Sequence, residues 1–375
     1  MRFVLLTGAG NNCGDHLIAS RAKKLFAKFL PTSEVVEISR LKPYDDREIK
    51  AMKDADCVVI TGGPSIRNDS AEILQFAPLI RNGVFEKIDT PFVIMGGGAG
   101  GNISRKNKLE PTPETRVFFD KIQSSPYFSG TRDFQTLRLL NNSGLDNVMF
   151  SSCPAMHPFV GEIASAMNAQ DTRDITSPEN IVFSCGSPFR ISIGMMNQHL
   201  DVVNYIGNRY PKATIKVAFH HTPYKDEFSK TCHHKILLNW VRLHNELDSR
   251  GYECVDISGG VGRMLDLYAQ ADLHIGYRVH AHVLMTSWNK RSILICEDVR
   301  GTAMSEVVQG CSLQSWREYG FVQRTLRHIM RCKEYKREYL DLHRAIDMVD
   351  GSCSFCSSVA MSMAKWFAQF QKGSI

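Results

Sequence analysis

Short, continuously apolar runs alternate along the chain with longer stretches in which apolar residues recur every three or four positions. In the first half the runs are Phe3 to Thr7, Val35 to Ile38, Cys57 to Thr61, Phe92 to Met95, Phe128 to Thr131 and Val148 to Ser151. Each is too short for a helix and too uniformly apolar for a strand with one wet face, which predicts buried parallel strands. After the first run, Leu17, Ile18, Ala22, Leu25, Phe26 and Phe29 fall on one stripe of a helix predicted over residues 15–29. The series restarts with Ile181 to Ser184, Thr214 to Phe219, Cys254 to Ile257, Leu273 to Ile275 and Ser292 to Cys296. Between the two series, the polar stretch 168–180, with Asp171, Arg173, Asp174 and Pro178, reads as a linker. Near the end, Val359, Met361, Met363, Trp366, Phe367 and Phe370 predict an amphipathic helix.

Strand and helix in alternation mean an α/β fold, and 375 residues exceed what one core usually holds. The expected architecture is two Rossmann-like parallel-sheet domains facing a cleft: residues 1–167, a linker at 168–180, and residues 181–350. A C-terminal helix within 351–375 is expected to close the molecule by packing back on the N-terminal domain. Open parallel sheets take ligands at the carboxyl ends of their strands, so the cleft is the expected site.

A hydrophobic fraction of 43% and a charged fraction of 22% fit an ordinary globular chain. The excess of 45 Lys and Arg over 39 Asp and Glu is thin, which favours an anionic small molecule over nucleic acid. The densest basic run, Arg331 to Arg337, also contains Glu334 and reads as a solvated helix face. Eleven scattered cysteines without framework spacing, and an apolar strand at the start in place of a leader, point to a reduced cytoplasmic protein. No run reaches the roughly 18 apolar residues of a membrane span, so any membrane association would be peripheral. Cys353 and Cys356 form one C-x-x-C but lack a second ligand pair, and neither a metal nor a cofactor is expected.

The richest stretch runs from Ala271 to His280, where a short apolar strand is predicted to enter a helix whose first turn carries Arg278 and His280. Helix-start N–H groups attract phosphate or carboxylate, a guanidinium grips two oxygens, and an imidazole moves a proton near neutral pH. The plainer reading is a buried polar turn in which both side chains pair with acids or carbonyls. Glycine-rich turns follow three strands: Gly8 to Asp15, Gly62-Gly63, and Gly96 to Gly101. The first only partly fits a dinucleotide loop, because its third glycine is displaced and no ribose-binding acid is clearly placed.

In order along the chain, Gly10-Asn11-Asn12-Cys13-Gly14-Asp15, the paired Gly62-Gly63, Arg132-Asp133 with Thr136, Cys153-Pro154, and Arg278-Val279-His280-Ala281 resemble the markers of the polysaccharide pyruvyl transferases. The resemblance implies a fold similar to the GT-B glycosyltransferases, and transfer of pyruvate from phosphoenolpyruvate to a sugar as a ketal. It carries over Arg278, the Val279 backbone and His280 as donor contacts, with Arg278 on the phosphate and His280 as acid or phosphate ligand. A second arginine from the opening strand of the C-terminal half is matched by Arg190. His221 and Asp226 resemble an H-x-x-x-x-D loop, and His157 is a candidate to orient or deprotonate the acceptor. Gly10, Asn12, Asp15, Gly62 and Gly63 are the remaining substrate-binding candidates.

Where the family has an aromatic and a lysine after the strand at Ser292 to Cys296, this chain has Glu297-Asp298-Val299-Arg300, so Arg300 is expected in the lysine's place. The implied partners are phosphoenolpyruvate and a saccharide, or a lipid- or nucleotide-linked saccharide. The rival readings are a nucleotide-sugar glycosyltransferase of the same architecture and a non-catalytic anion- or glycan-binding module.

Overall fold

The computed structural model describes residues 1–8, 10, 12–72, 76–100, 108–168, 177–224, 234–309, 311–314 and 354–371. The chain divides into two compact units, Met1–Pro158 with Phe355–Ile375, and Phe159–Ser354. Residues 169–176 of the expected linker, the basic run at 331–337 and Cys353 lie outside the described residues.

In unit 1, β1 (Arg2–Thr7), β2 (Glu34–Ser39), β3 (Cys57–Thr61) and β4 (Phe92–Met95) form a parallel sheet in the order β2-β1-β3-β4. Continuous apolar runs form it because both faces are covered: Phe3 to Leu6 and Cys57 to Ile60 are fully buried. β5 (Ser129–Thr131) and β6 (Val148–Phe150) pair in parallel and join β4 through the bridge between Gly97 and Thr131.

The helix Cys13–Phe29 begins two residues before the predicted start, because Asn12 caps it by accepting a hydrogen bond from the Gly14 N–H at 3.3 Å. Its stripe is buried as far as Phe26, and Phe29 is half-buried and stacked on Phe367. The C-terminal helix Ser357–Gln371 belongs to this unit. Phe367 meets Phe26 edge-on at 4.9 Å, Phe370 meets Phe3 at 5.2 Å, and Trp366 Nε1 donates to the Phe128 carbonyl at 2.9 Å. Burying three such aromatics stabilises the unit by roughly 2 kcal/mol each. Met361, counted in the predicted stripe, is 60% exposed instead, since the helix turns it away from that aromatic face.

Unit 2 holds β7 (Asn180–Ser184), β8 (Thr214–Phe219), β9 (Glu253–Asp256), β10 (Leu273–Gly276), β11 (Arg291–Cys296) and the edge strand Cys311–Gln314. Every pairing is parallel, in the order edge strand, β11, β10, β7, β8, β9. Chain direction across the sheet therefore reverses between β7 and β10, the place where an open α/β sheet receives its ligand. Asp272 fixes the start of β7 by accepting the N–H groups of Glu179 at 3.0 Å and Asn180 at 2.8 Å.

Candidate functional site

At the β7–β10 reversal the two strand ends approach so closely that a side chain on Gly276 would place its Cβ 2.5 Å from the Ser184 carbonyl oxygen. Glycine is the residue that permits this. The Tyr277 N–H then donates to the Ser184 carbonyl at 3.0 Å and the Arg278 N–H to Ser184 Oγ at 3.2 Å. Those bonds keep Arg278 extended, at φ −89° and ψ 110°, so it precedes the helix Val279–Ser287 as its cap residue and does not stand in the first turn, where the sequence predicted it. Arg278 Nε donates to the Cys185 carbonyl at 2.9 Å, and Nη2 lies 3.1 Å from His221 Nδ1. Burial, reinforced by Arg278 and Arg300, holds His221 well below its ordinary pKa, so its ring is neutral and Nδ1 accepts from the arginine. Val279 and His280 are half-buried in the first turn, and His280 lies near enough to His220 to oppose that ring's protonation.

Under this corner runs a line of buried polar groups that sequence reading missed. Ser184 Oγ lies 2.8 Å from His274 Nε2, His274 Nδ1 lies 2.7 Å from Ser292 Oγ, and Ser292 Oγ lies 2.7 Å from His282 Nδ1. One proton order satisfies the line: the Ser184 hydroxyl donates to His274, His274 Nδ1–H to Ser292, and the Ser292 hydroxyl to His282. It requires neutral rings, and burial supplies them, pushing His274 well below its usual range and His282 down to about 4. The Arg278 N–H, accepted by Ser184, is thus anchored to β7, β10, β11 and its own helix.

The acidic side of the corner comes from the end of β11. Asp298 caps the helix Val299–Met304 and binds the Arg300 side chain at 2.6 and 2.8 Å, so Arg300 is one-third exposed and already paired. Glu297 is buried and accepts the Ser187 N–H at 3.0 and 3.2 Å. Gly186 makes room for it, since a Cβ there would stand 2.6 Å from Glu297 Oε2. Burial raises the pKa of this carboxyl, partly opposed by Arg278 and Arg300. Behind Gly186, His199 accepts the Gly186 N–H at 2.8 Å and donates from Nδ1 to the Met195 carbonyl at 2.7 Å. Its neutral ring, pushed down to about 4 by burial, stacks on Tyr277 at 4.2 Å.

Unit 2 therefore gathers Arg278, Val279, His280, His221 and Arg300 at the carboxyl ends of its strands. Asp226 and the side chain of Arg190 lie outside the described residues. Among the described residues no group of three or more His, Cys, Asp or Glu is arranged to hold a metal ion.

Unit 1 gathers the other candidates. Its sheet reverses between β1 and β3, and Gly10, Asn12 and Asp15 follow β1 while Gly62 and Gly63 follow β3. Gly62 has φ +55° and rests on Ile18, which a Cβ would meet at 2.9 Å. Asn12 Nδ2 donates to Asp15 Oδ2 at 3.0 Å. Nothing in the sequence marked Arg40, whose buried guanidinium donates to the Thr61 carbonyl at 2.7 Å and lies 4.8 Å from the Phe76 ring centre. Desolvation lowers its pKa to about 10, which still leaves it charged. His157 lies 2.7 Å from the hydroxyl of Ser152, a residue at φ +62°, and Ser362 of the C-terminal helix donates to that hydroxyl at 2.9 Å. Burial pushes His157 down to about 4, so its ring is neutral at physiological pH.

Residues 12–295 match the family model described as Polysaccharide pyruvyl transferase. No curated protein matches the chain in sequence. Among solved structures, it is similar to the UDP-GlcNAc 2-epimerase of Methanocaldococcus jannaschii in complex with UDP-GlcNAc and UDP, with a TM-score of 0.59 at 9% identity over 100% of this chain and 99% of that one. The UDP-GlcNAc 2-epimerase of Neisseria meningitidis bound to UDP-GlcNAc gives 0.57 at 13% identity over 99% and 100%. S. aureus MnaA with UDP gives 0.54 at 11% over 100% and 97%. At such identities the likeness is one of fold, and it bears out the expected GT-B-like α/β class.

Proposed function

Because the chain belongs to the polysaccharide pyruvyl transferase family, we propose that it moves the enolpyruvyl carbons of phosphoenolpyruvate onto two hydroxyls of a saccharide, closing a pyruvate ketal during cell-surface or exopolysaccharide synthesis. The observation that carries this reading is the anchored Arg278, at a helix start and a sheet reversal, with His280 two residues on in the helix's first turn. Phosphoenolpyruvate bears a phosphate and a carboxylate on adjacent groups and needs cationic and N–H contacts together. Arg278 grips the phosphate, helix-start N–H groups near Val279 add donors, and His280 holds the phosphate and gives it a proton as it leaves. His221 orients the Arg278 guanidinium, and Arg300, with Asp298 on it, balances charge at the rim.

In this reading Gly10, Asn12, Asp15, Gly62 and Gly63 meet the acceptor. His157, neutral at physiological pH, orients an acceptor hydroxyl. The acceptor is a saccharide, free or linked to lipid or nucleotide, the work is cytoplasmic, and no cofactor enters.

Incubation with phosphoenolpyruvate and a panel of glycans, following phosphate release, tests it. Release should require both substrates and fall at least 100-fold in Arg278→Ala. Binding of a nucleoside diphosphate sugar with no response to phosphoenolpyruvate would replace the proposal with a glycosyltransferase.

A further inference from the structure

We infer that Glu297 delivers the proton that turns the donor's methylene into a methyl group, and that it does so as a neutral acid lodged beside the phosphate grip. This rests on the donor reading given above. The side chain is 6% exposed, yet its two oxygens share one N–H, that of Ser187. Its nearest cation, Arg300 Nη2, stands off at 3.8 Å while binding Asp298 at 2.6 Å. A buried carboxylate has about four acceptor positions and is normally paired or multiply bonded. Arg278 is within charge reach of Glu297, and its guanidinium donates to the Cys185 carbonyl and to His221. The fold thus holds a buried carboxyl, with the Ser187 N–H as its donor, within charge reach of the arginine.

Among the described residues, the charged and titratable groups facing it are Arg278, Arg300, Asp298 and His199, and His199 is neutral. Burial, the largest influence, favours the protonated form. An incoming donor favours it further. A carboxylate beside a phosphate charge is repelled in a partly dry site, whereas a neutral acid donates a hydrogen bond.

The step balances. The Glu297 O–H bond breaks and the proton forms the third C–H bond of the methyl group. C2 becomes electrophilic, one acceptor hydroxyl oxygen bonds to it, and that hydroxyl's proton restores Glu297. The C2–O bond to phosphate then breaks, the second hydroxyl oxygen closes the ketal, and its proton leaves with phosphate. His280 is left to the departing phosphate.

The test is calorimetric titration of phosphoenolpyruvate into the full chain, in buffers of different protonation enthalpy across pH 6 to 9, with turnover measured alongside. The wild type should take up a proton on binding and lose affinity about tenfold per pH unit on the alkaline side. Glu297→Gln should bind at least as tightly, without uptake or pH dependence, and turn over at least 100-fold more slowly. Glu297→Asp should keep the uptake and lose less turnover. Proton uptake that persists in Glu297→Gln, or turnover that survives it, overturns the assignment. So does weaker binding with unchanged pH dependence, the mark of a merely structural role. A wild type that binds no phosphoenolpyruvate overturns the donor reading, and Glu297's role with it.

Discussion

The two units hold the same kind of place, the carboxyl ends of strands at a sheet reversal, with opposite side chains. In unit 1 three buried arginines sit on backbone oxygens, Arg21 on Ala155, Arg40 on Thr61 and Arg132 on Ala99, the last also beside Asp133. In unit 2 the matching place is taken by imidazoles, the buried His199, His220, His274 and His282 and the half-buried His221, grouped with Arg278, the one buried guanidinium among the described residues of that unit. A guanidinium keeps its charge at any physiological pH and ties several carbonyls at once. A neutral imidazole bridges one donor and one acceptor, and only while it stays neutral. Unit 1 is therefore framed by groups indifferent to pH, and unit 2 by groups that are not.

Acid should separate the units most. The folded pKa values of His199 and His282, about 4, lie below the unfolded value near 6.5, so the native state binds fewer protons in between. Stability is complete above pH 6.5 and is lost as pH falls towards 4. At pH 5 each of these rings should lower the stability of unit 2 by about 2 kcal/mol. Glu297 acts in the opposite direction, since acid relieves its burial, but it is one carboxyl against five rings. In unit 1 the matching group is His157 alone among the described residues. Hydrogen exchange resolved by segment should show β7, β10 and β11 opening first as pH falls from 6.5 to 5. Simultaneous opening of β1 and β3 would erase the contrast.

A smaller effect tests the other side. Arg40→Leu strands the Thr61 carbonyl and should cost unit 1 about 3 kcal/mol, read as faster exchange in β1 to β3 with unit 2 unchanged. Arg40→Lys should recover little, because an ammonium lacks the planar fork. Smallest is Ser184→Ala, expected to cost about 1 kcal/mol and to weaken phosphoenolpyruvate binding a few-fold by loosening the Arg278 N–H. Weaker binding there without any loss of stability would place Ser184 in the site itself.

Much of the frame was legible in the sequence. Strands buried on both faces announce themselves as unbroken apolar runs, and β3, β4 and β8 match their predicted bounds residue for residue. The signature residues Arg278 and His280 were legible as chemistry. Their support was not, because Ser184, His274 and Ser292 come from three strands whose neighbours are set by sheet order, and a histidine inside an apolar strand gives no sign of its partners. Arg278 was misplaced by one position because the bond to Ser184 that holds it extended is likewise long-range. Arg40 carried no local pattern either: its carbonyl partners belong to β1 and β3, and the guanidinium fits only because Gly8 leaves it room.

The helix Ser357–Gln371 has a consequence for synthesis. Phe3 and Phe26 leave the ribosome before unit 2, but the rings that cover them, Phe367 and Phe370, emerge after it. The unit begun first is thus finished second, and a growing chain must carry an open aromatic face throughout translation of unit 2, a window in which a chaperone has something to hold.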